Sequence, residues 1–549
     1  MKRNFFALLI CLCALATAAF GQAVQITPAE RRFADAITAD QLRDYLYFVA
    51  SDAMGGRDTP SAGLDVTAEF LKLNLSRWGF KPAGDNGSFF QKIELTVETV
   101  EAANNLLQVD GKDFAMNSDF FRMSGNGSAN ALMVYAGNGW VVKSKNIDPY
   151  KGVDIRGKIV VLSGSGFPNP NTLTQQPNGV SDDQLKGTKG VDWSDPVTYA
   201  TANGAAGILL IGSPEIQGMW GQVRRFFSRG NMYVTKLREP ASPARAKLPI
   251  ALVSSNIASS IFAGTPGKDA PAPFTIDKTV SITTMATPST KWTQNVVALW
   301  EGSDAKLKSE MVAIGAHYDH VGTNLNAAGE DKIWNGADDD GSGTVAVLSI
   351  AEALAKAKQR PKRSILLVWH AGEEKGLWGA EYFNKFPTID IKNVISQLNI
   401  DMIGRSLDPT KVIKCDRPGK LCNENLTKAN EIYVIGSEMM SSTLGSIVKG
   451  TNTAYIKMDY NYKYDDPKDT ERFFFRSDHF HYAVNGIPIT FWFDGVHEDY
   501  HQASDSPDKI DYQKMEKVAR TIFLTMWQLT DLKERPKVDK QLPPELTRR

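Results

Sequence analysis

From about residue 290 the chain alternates short apolar runs with amphipathic segments, the pattern of strands and helices in an α/β sheet. The runs are MVAIGA (311–316), SILLVWHA (364–371), VISQLNI (394–400) and IPITFWF (487–493). Between the first two, TVAVLSIAEALAKAK (344–358) reads as a helix stopped before Pro361, and GLWGAEYFNKF starts another after the second. What ends each run matters more. The first ends in His317, with Asp319 two residues on; the second runs into Gly372, Glu373 and Glu374; the third stops at Asp401. In open α/β sheets ligands gather at the carboxyl ends of the strands. Three successive runs therefore deliver histidine or acid to one edge.

The stretch NGADDDGSGT (335–344) sets Asp338, Asp339 and Asp340 side by side at the mouth of the apolar helix. Three adjacent carboxylates repel, so a burial of this kind calls for cations. The seven histidines, 317, 320, 370, 479, 481, 497 and 501, all fall within the same region. Imidazole with several carboxylates and no thiolate suits zinc, or a similar divalent metal such as manganese or cobalt. The donors outnumber the four that close a structural zinc site, which points to two metals bridged by a carboxylate, a pair about 3.5–4 Å apart. The H-x-D spacing fits a metal-bound His317 whose other ring nitrogen is held by Asp319. The Glu373-Glu374 pair suits a division of labour, with one carboxylate on metal and its neighbour free beside a water as general base.

The rest of the chain frames this region. Lys+Arg and Asp+Glu balance at 62 each, which gives no electrostatic case for nucleic acid or an anionic membrane as partner. MKRNFFALLICLCALATAAFGQA has the basic start, apolar stretch and small residues of an export signal, with cleavage expected after Gly21. No later stretch has the ~18 uninterrupted apolar residues of a membrane span. Past that point only Cys415 and Cys422 remain, a close pair around a Pro-Gly turn that an exported protein is expected to join as a disulfide. Residues 29–72 carry helical periodicity on either side of GGRDTPSAG, and a β-rich region begins near residue 90. Residues 165–195 read as a long loop, DPVTYATANGAAGILLIGSP as a helix leading into a strand, LPIALVSS as a strand, and AGTPGKDAPAPFT (263–275) as a linker or a turn at a domain edge.

With GAHYDH, NGADDDGSGT, GEEKGLWGAEYF, NIDMIG, RSDHFHYAVNGIP and DYHQASDSPDKID in order, the chain resembles the secreted co-catalytic zinc aminopeptidases, in the group related to bacterial aminopeptidases, glutamate carboxypeptidase and transferrin receptor. The resemblance implies an α/β fold with a central mixed sheet flanked by helices on both faces, and an inserted β-rich protease-associated domain. The boundaries it implies are a signal peptide at 1–21, a first peptidase part at 22–129, the insertion at 130–285, the metal-binding part at 286–535 and a polar tail at 536–549.

Carried over by position, the resemblance makes His317 and Asp401 ligands of one metal, with Asp319 orienting His317. Asp339 becomes the bridging ligand, joined to Asp340 by a cis peptide. Glu374 and His501 serve the other metal, and Glu373 is the general base. Arg476 and Tyr500 match residues that touch substrate and the developing oxyanion in some relatives. His320, His370, His479, His481 and His497 have no ligand position in that pattern and are taken as wall or supporting residues. The implied function is removal of the amino-terminal residue from peptides with two zinc ions and a bridging water, in a protein exported to the periplasm or secreted, free of membrane after signal cleavage, and with no oligomeric state fixed by the sequence. A related carboxypeptidase, a glutaminyl-cyclase-like enzyme and a non-catalytic receptor-like protein are the alternatives.

Overall fold

The computed structural model describes residues 24–543 apart from 170, 228–229, 239, 241, 268, 270, 328, 411–422 and 424. The expected signal peptide and the Cys415–Cys422 pair lie outside the described residues. The chain divides into two compact units, one of residues 1–93 with 292–549 and one of residues 94–291.

In the first unit the amino-terminal helices are α1 (Ala39–Val49) and α2 (Ala62–Arg77). Thr38 caps α1 by accepting from the Gln41 amide, while the Gln41 side chain accepts from the Thr38 amide, and Ser61 caps α2 by accepting from the Leu64 amide. The sheet region then runs β1 (Thr287–Trp300), β2 (Met311–His317), α3 (Gly343–Lys356), β3 (Ser364–His370), α4 (Trp378–Lys385), β4 (Val394–Ile400), β5 (Glu431–Ile435), α5 (Ser442–Ala454), β6 (Asp459–Asn461), α6 (His479–Val484), β7 (Ile489–Phe493) and α7 (Tyr512–Asp531). The strands lie in the order β1-β3-β2-β4-β7-β5-β6. Pairing is parallel from β3 through β2 and β4 to β7, and antiparallel where β1 meets β3 and β5 meets β7.

Because side chains alternate across a strand, the continuous apolar runs require cover on both faces. Ile365, Leu367 and Trp369 of β3 enter one core with Leu42 and Leu46 of α1, Val347 and Ile350 of α3, and Ile522 of α7. Leu366 and Val368 enter the other, with Phe383 of α4 and Phe480 of α6. The helices thus lie on both faces, as expected. Every residue of α3 from Gly343 to Ala351 is buried, which an apolar helix all round demands.

The second unit contains an eight-stranded mixed sheet. Strands Gly127–Tyr135, Ile159–Ser163, Gly207–Ile211 and Ile250–Val253 are parallel neighbours, and Phe274–Thr284 runs antiparallel to the first of them. Leu106–Val109 pairs with Val280–Thr283, so this unit reaches back to residue 94 rather than starting at the expected 130. Residues 263–273 join the helix Ser255–Phe262 to the strand Phe274–Thr284 inside this unit rather than between domains.

Candidate metal centre

The parallel run of β2, β3 and β4 fixes the edge at which the chemistry gathers. His317 is the last residue of β2, Glu373 and Glu374 follow β3 by three and four residues, and Asp401 follows β4 directly. The turn Ala337–Ser342 carries Asp338, Asp339 and Asp340 into α3, and the loop after β7 brings His501.

All three aspartates are buried, and each is given different donors. Asp338 Oδ1 accepts from the Gly404 amide at 2.7 Å; Asp340 Oδ1 accepts from Gly343 at 2.8 Å and Met402 at 3.1 Å. The Asp505 carboxylate accepts from the amides of Asp338 and Asp339 at 3.0–3.1 Å, pinning the turn from behind. Asp338 also meets His497 Nε2 at 3.2 Å. Asp339 is left facing the histidines, and its peptide bond to Asp340 is cis, as the resemblance implies.

The two oxygens of Asp339 look in different directions. Oδ1 lies 3.3 Å from His317 Nε2, which lies 3.6 Å from Asp401 Oδ1. Oδ2 lies 3.0 Å from His501 Nε2, which lies 3.0 Å from Glu374 Oε2. His317 Nε2, His501 Nε2, Asp339 Oδ2 and Glu374 Oε1 are buried without a hydrogen-bond partner among the described residues. Buried polar atoms are expensive to leave unpaired. Convergence of such atoms, imidazole and carboxylate with no thiolate, is the donor chemistry a zinc-like cation requires, and two groups of these residues could hold a metal ion: His320, Asp339, Glu374 and His501, and His317, Asp340 and Asp401.

Asp319 serves this cluster in two ways. Its backbone carbonyl lies 3.1 Å from His317 Nδ1, nearer than its own carboxylate at 3.6 Å. The carboxylate instead accepts from the Glu373 amide at 3.2 Å and from the Thr59 hydroxyl at 3.1 Å, joining the loops after β2 and β3. Glu373 Oε2 lies 4.0 Å from His317 Nε2. Burial pushes the Glu373 carboxyl well above the usual carboxylate range, and the charges of Glu374 and Asp401 add to this against the pull of His317.

A pocket opens on Asp339, Glu373 and Asp401. Its remaining wall is largely apolar, from Met402, Phe473, Phe491, Phe493 and Val496, with Arg476 and Tyr500 at its polar margin. The Arg476 guanidinium lies 4.7 Å from the centre of the Phe473 ring. Tyr500 stacks on His501 at 4.0 Å between ring centres. Burial, with the charges of Asp339 and Glu374, raises the Tyr500 phenol far above its ordinary value and keeps it a donor.

Of the histidines without an expected ligand role, His370 meets Asp478 at 3.2 Å and the Tyr482 hydroxyl at 3.1 Å. His479 stacks on Phe491, and burial pushes its pKa down to about 3. His320 differs from these: it stands inside the cluster, with Nδ1 3.0 Å from Glu374 Oε1. Sequence reasoning also passed over Arg57, whose side chain is fully buried and donates to the carbonyls of Val49, Tyr318, Asn335 and Gly336.

Residues 295–526 match the model of peptidase family M28. The matched segment contains His317, Asp319, His320, Asp339, Glu373, Glu374, Asp401, Arg476, Tyr500 and His501, while Val49, Arg57 and Thr59 lie before it. The chain is 28% identical over 265 residues to a probable zinc metalloprotease of Leptosphaeria maculans, covering 44% of the chain and 58% of that protein. It is 28% identical over 224 residues to a probable leucine aminopeptidase of Arthroderma benhamiae, covering 39% of the chain and 53% of that protein. The chain thus spans little more than half the length of these curated relatives. In structure it is similar to an aminopeptidase from Aneurinibacillus sp. strain AM-1, with a TM-score of 0.51 and 15% identity over 94% of the chain and 98% of that protein. That likeness bears on the fold, a mixed α/β sheet covered on both faces.

Proposed function

We propose that the protein is a zinc-dependent exopeptidase that removes the amino-terminal residue of peptides. The observation that carries this reading is the division of Asp339 between two donor sets, with Glu373 beside it at the wall of an open pocket. His317 and Asp401 would hold one cation, Glu374 and His501 the other, and Asp339 both. Bound there, divalent cations supply Lewis acidity, polarising a carbonyl and lowering the pKa of water toward neutrality. Glu373 takes a proton from the attacking water at a carboxylate oxygen and returns it to the nitrogen of the leaving amine. Asp319 holds the Glu373 backbone through the amide it accepts from. The Tyr500 hydroxyl donates to the oxygen on which negative charge develops. The acidic wall favours the free α-ammonium of a peptide, and the apolar wall favours an apolar first side chain.

The names of the relatives, a zinc metalloprotease and a leucine aminopeptidase, support the same class. A carboxypeptidase needs a basic cluster for the substrate's terminal carboxylate, and Arg476 is the only basic residue lining this pocket among the described residues. Export, inferred from the first residues, would place the activity on peptides outside the cytoplasm.

Mass spectrometry of a peptide mixture incubated with the zinc-loaded protein tests the proposal. Stepwise loss from free amino termini, blocked by acetylation and by a chelator, is the expected result; trimming from the carboxyl end, or peptides left whole, would overturn it. The same preparation is expected to carry two equivalents of divalent metal per chain by elemental analysis. Removing them leaves Glu373, Glu374, Asp339 and Asp401 crowded without cations. Because a ligand that binds only the folded state stabilises it, the metal-free protein should melt several degrees lower and recover on adding zinc. A melting temperature indifferent to chelation would count against a resident metal.

A further inference from the structure

We propose that His320 is a direct ligand of the cation held by Glu374 and His501, so that the two cation sites are unequal. This rests on the metal centre proposed above but is not implied by it. His320 is fully buried, and its Nδ1 lies 3.0 Å from Glu374 Oε1 and 3.7 Å from Asp339 Oδ2. Neither ring nitrogen has a hydrogen-bond partner among the described residues, and Glu374 Oε1 has none either. The contact has the length of a hydrogen bond without its direction. Donors at ~2.0–2.1 Å around one tetrahedral zinc stand about 3.4 Å apart, and the separations at His320 bracket that edge.

Donor atoms of His320, Asp339, Glu374 and His501 all lie within 4.8 Å of one another, the spread that one ion can gather. Glu374 presents Oε1 to His320 and Oε2 to His501, so the two imidazoles stand on either side of one carboxylate.

The ring is held for this purpose. The His320 amide donates to the Arg57 carbonyl at 3.1 Å, and the ring meets His501 edge-on at 5.5 Å between centres. On its other side lies Gly336, at φ +57°, where a Cβ would stand 2.4 Å from His320 Cγ and 2.6 Å from Cδ2. No larger residue leaves room for the imidazole in this position.

The consequence is an asymmetric pair. Four protein donors, two of them imidazoles, fill a tetrahedron on the His320 side. The His317 side offers one imidazole with Asp339 and Asp401, leaving room for substrate. The first equivalent of zinc should therefore settle between His320 and His501.

X-ray absorption spectroscopy on the protein loaded with one equivalent of zinc reads this directly. Two imidazoles per zinc are expected in the wild type and one in His320→Ala and His320→Gln. Competition with a chelator should show the first equivalent held about 100-fold more weakly in both variants, at or beyond the upper range for a residue that merely supports a ligand. One imidazole in the wild type overturns the assignment even if neither variant folds. Unchanged retention of the first zinc in a folded variant also overturns it. If the wild type binds no zinc at all, the metal centre itself fails; if it binds two and trims peptides while His320→Gln matches it in every respect, only this inference fails.

Discussion

Glu373→Gln should cost about 10³–10⁴-fold in kcat for peptide hydrolysis, the upper part of the range for a lost general base. Glutamine keeps the shape and the backbone N–H that donates to the Asp319 carboxylate but cannot take a proton. Glu373 donates no oxygen to either proposed ligand set, so metal content by elemental analysis and melting temperature should match the wild type. KM should stay within a few-fold, because the loss falls on the transition state rather than on binding. A folded, two-metal variant that retains activity would remove Glu373 from the mechanism.

The second large effect is expected from Arg57→Met. Methionine fills much of the same volume but leaves the carbonyls of Val49, Tyr318, Asn335 and Gly336 without their donor. It also removes a fully buried positive charge close to Asp319, Asp339, Asp340 and Asp505. Breaking a buried charge arrangement from one side costs about 3–5 kcal/mol. The four carbonyls belong to the end of α1, the loop after β2 and the approach to the aspartate turn, so the loss should reach the site as well as the fold. A lowered urea midpoint and weakened zinc retention are expected together. Arg57→Lys should fall between the two, since an ammonium keeps the charge but cannot span four acceptors as a guanidinium does. A variant as stable as the parent would mean that the carbonyls find other donors.

The sheet and most of the site were readable because each depended on local pattern. MVAIGA, SILLVWHA and VISQLNI are continuous apolar runs because both faces of their strands are covered, and the residue after each run falls at one edge because the strands are parallel. The buried aspartates betrayed themselves by an arrangement that water would not need. Arg57 could not be read in this way. Its partners are backbone carbonyls, which leave no mark on the sequence, and three of them lie more than 260 positions away. The extent of the second unit was hidden for a similar reason, since Leu106–Val109 finds its partner strand only at 280–283. His320 sat in the quoted motif GAHYDH, but a strand end gives no sign of which of two nearby histidines turns inward. That choice is made by the glycine against its ring and by Arg57 beneath it.

The pinning of Asp338 and Asp339 by Asp505 joins the aspartate turn to a segment that arrives late in the chain, just after His501. A nascent chain that has emerged through β4 holds most of the donors but lacks both His501 and the clamp that orders the shared carboxylate. Zinc capture at the proposed centre would therefore wait until almost the whole unit is in place, and loosening of the segment around Asp505 would weaken the hold on the metal. Proteolytic nicking or truncation near residue 500 would disarm the protein before it dismantled the sheet.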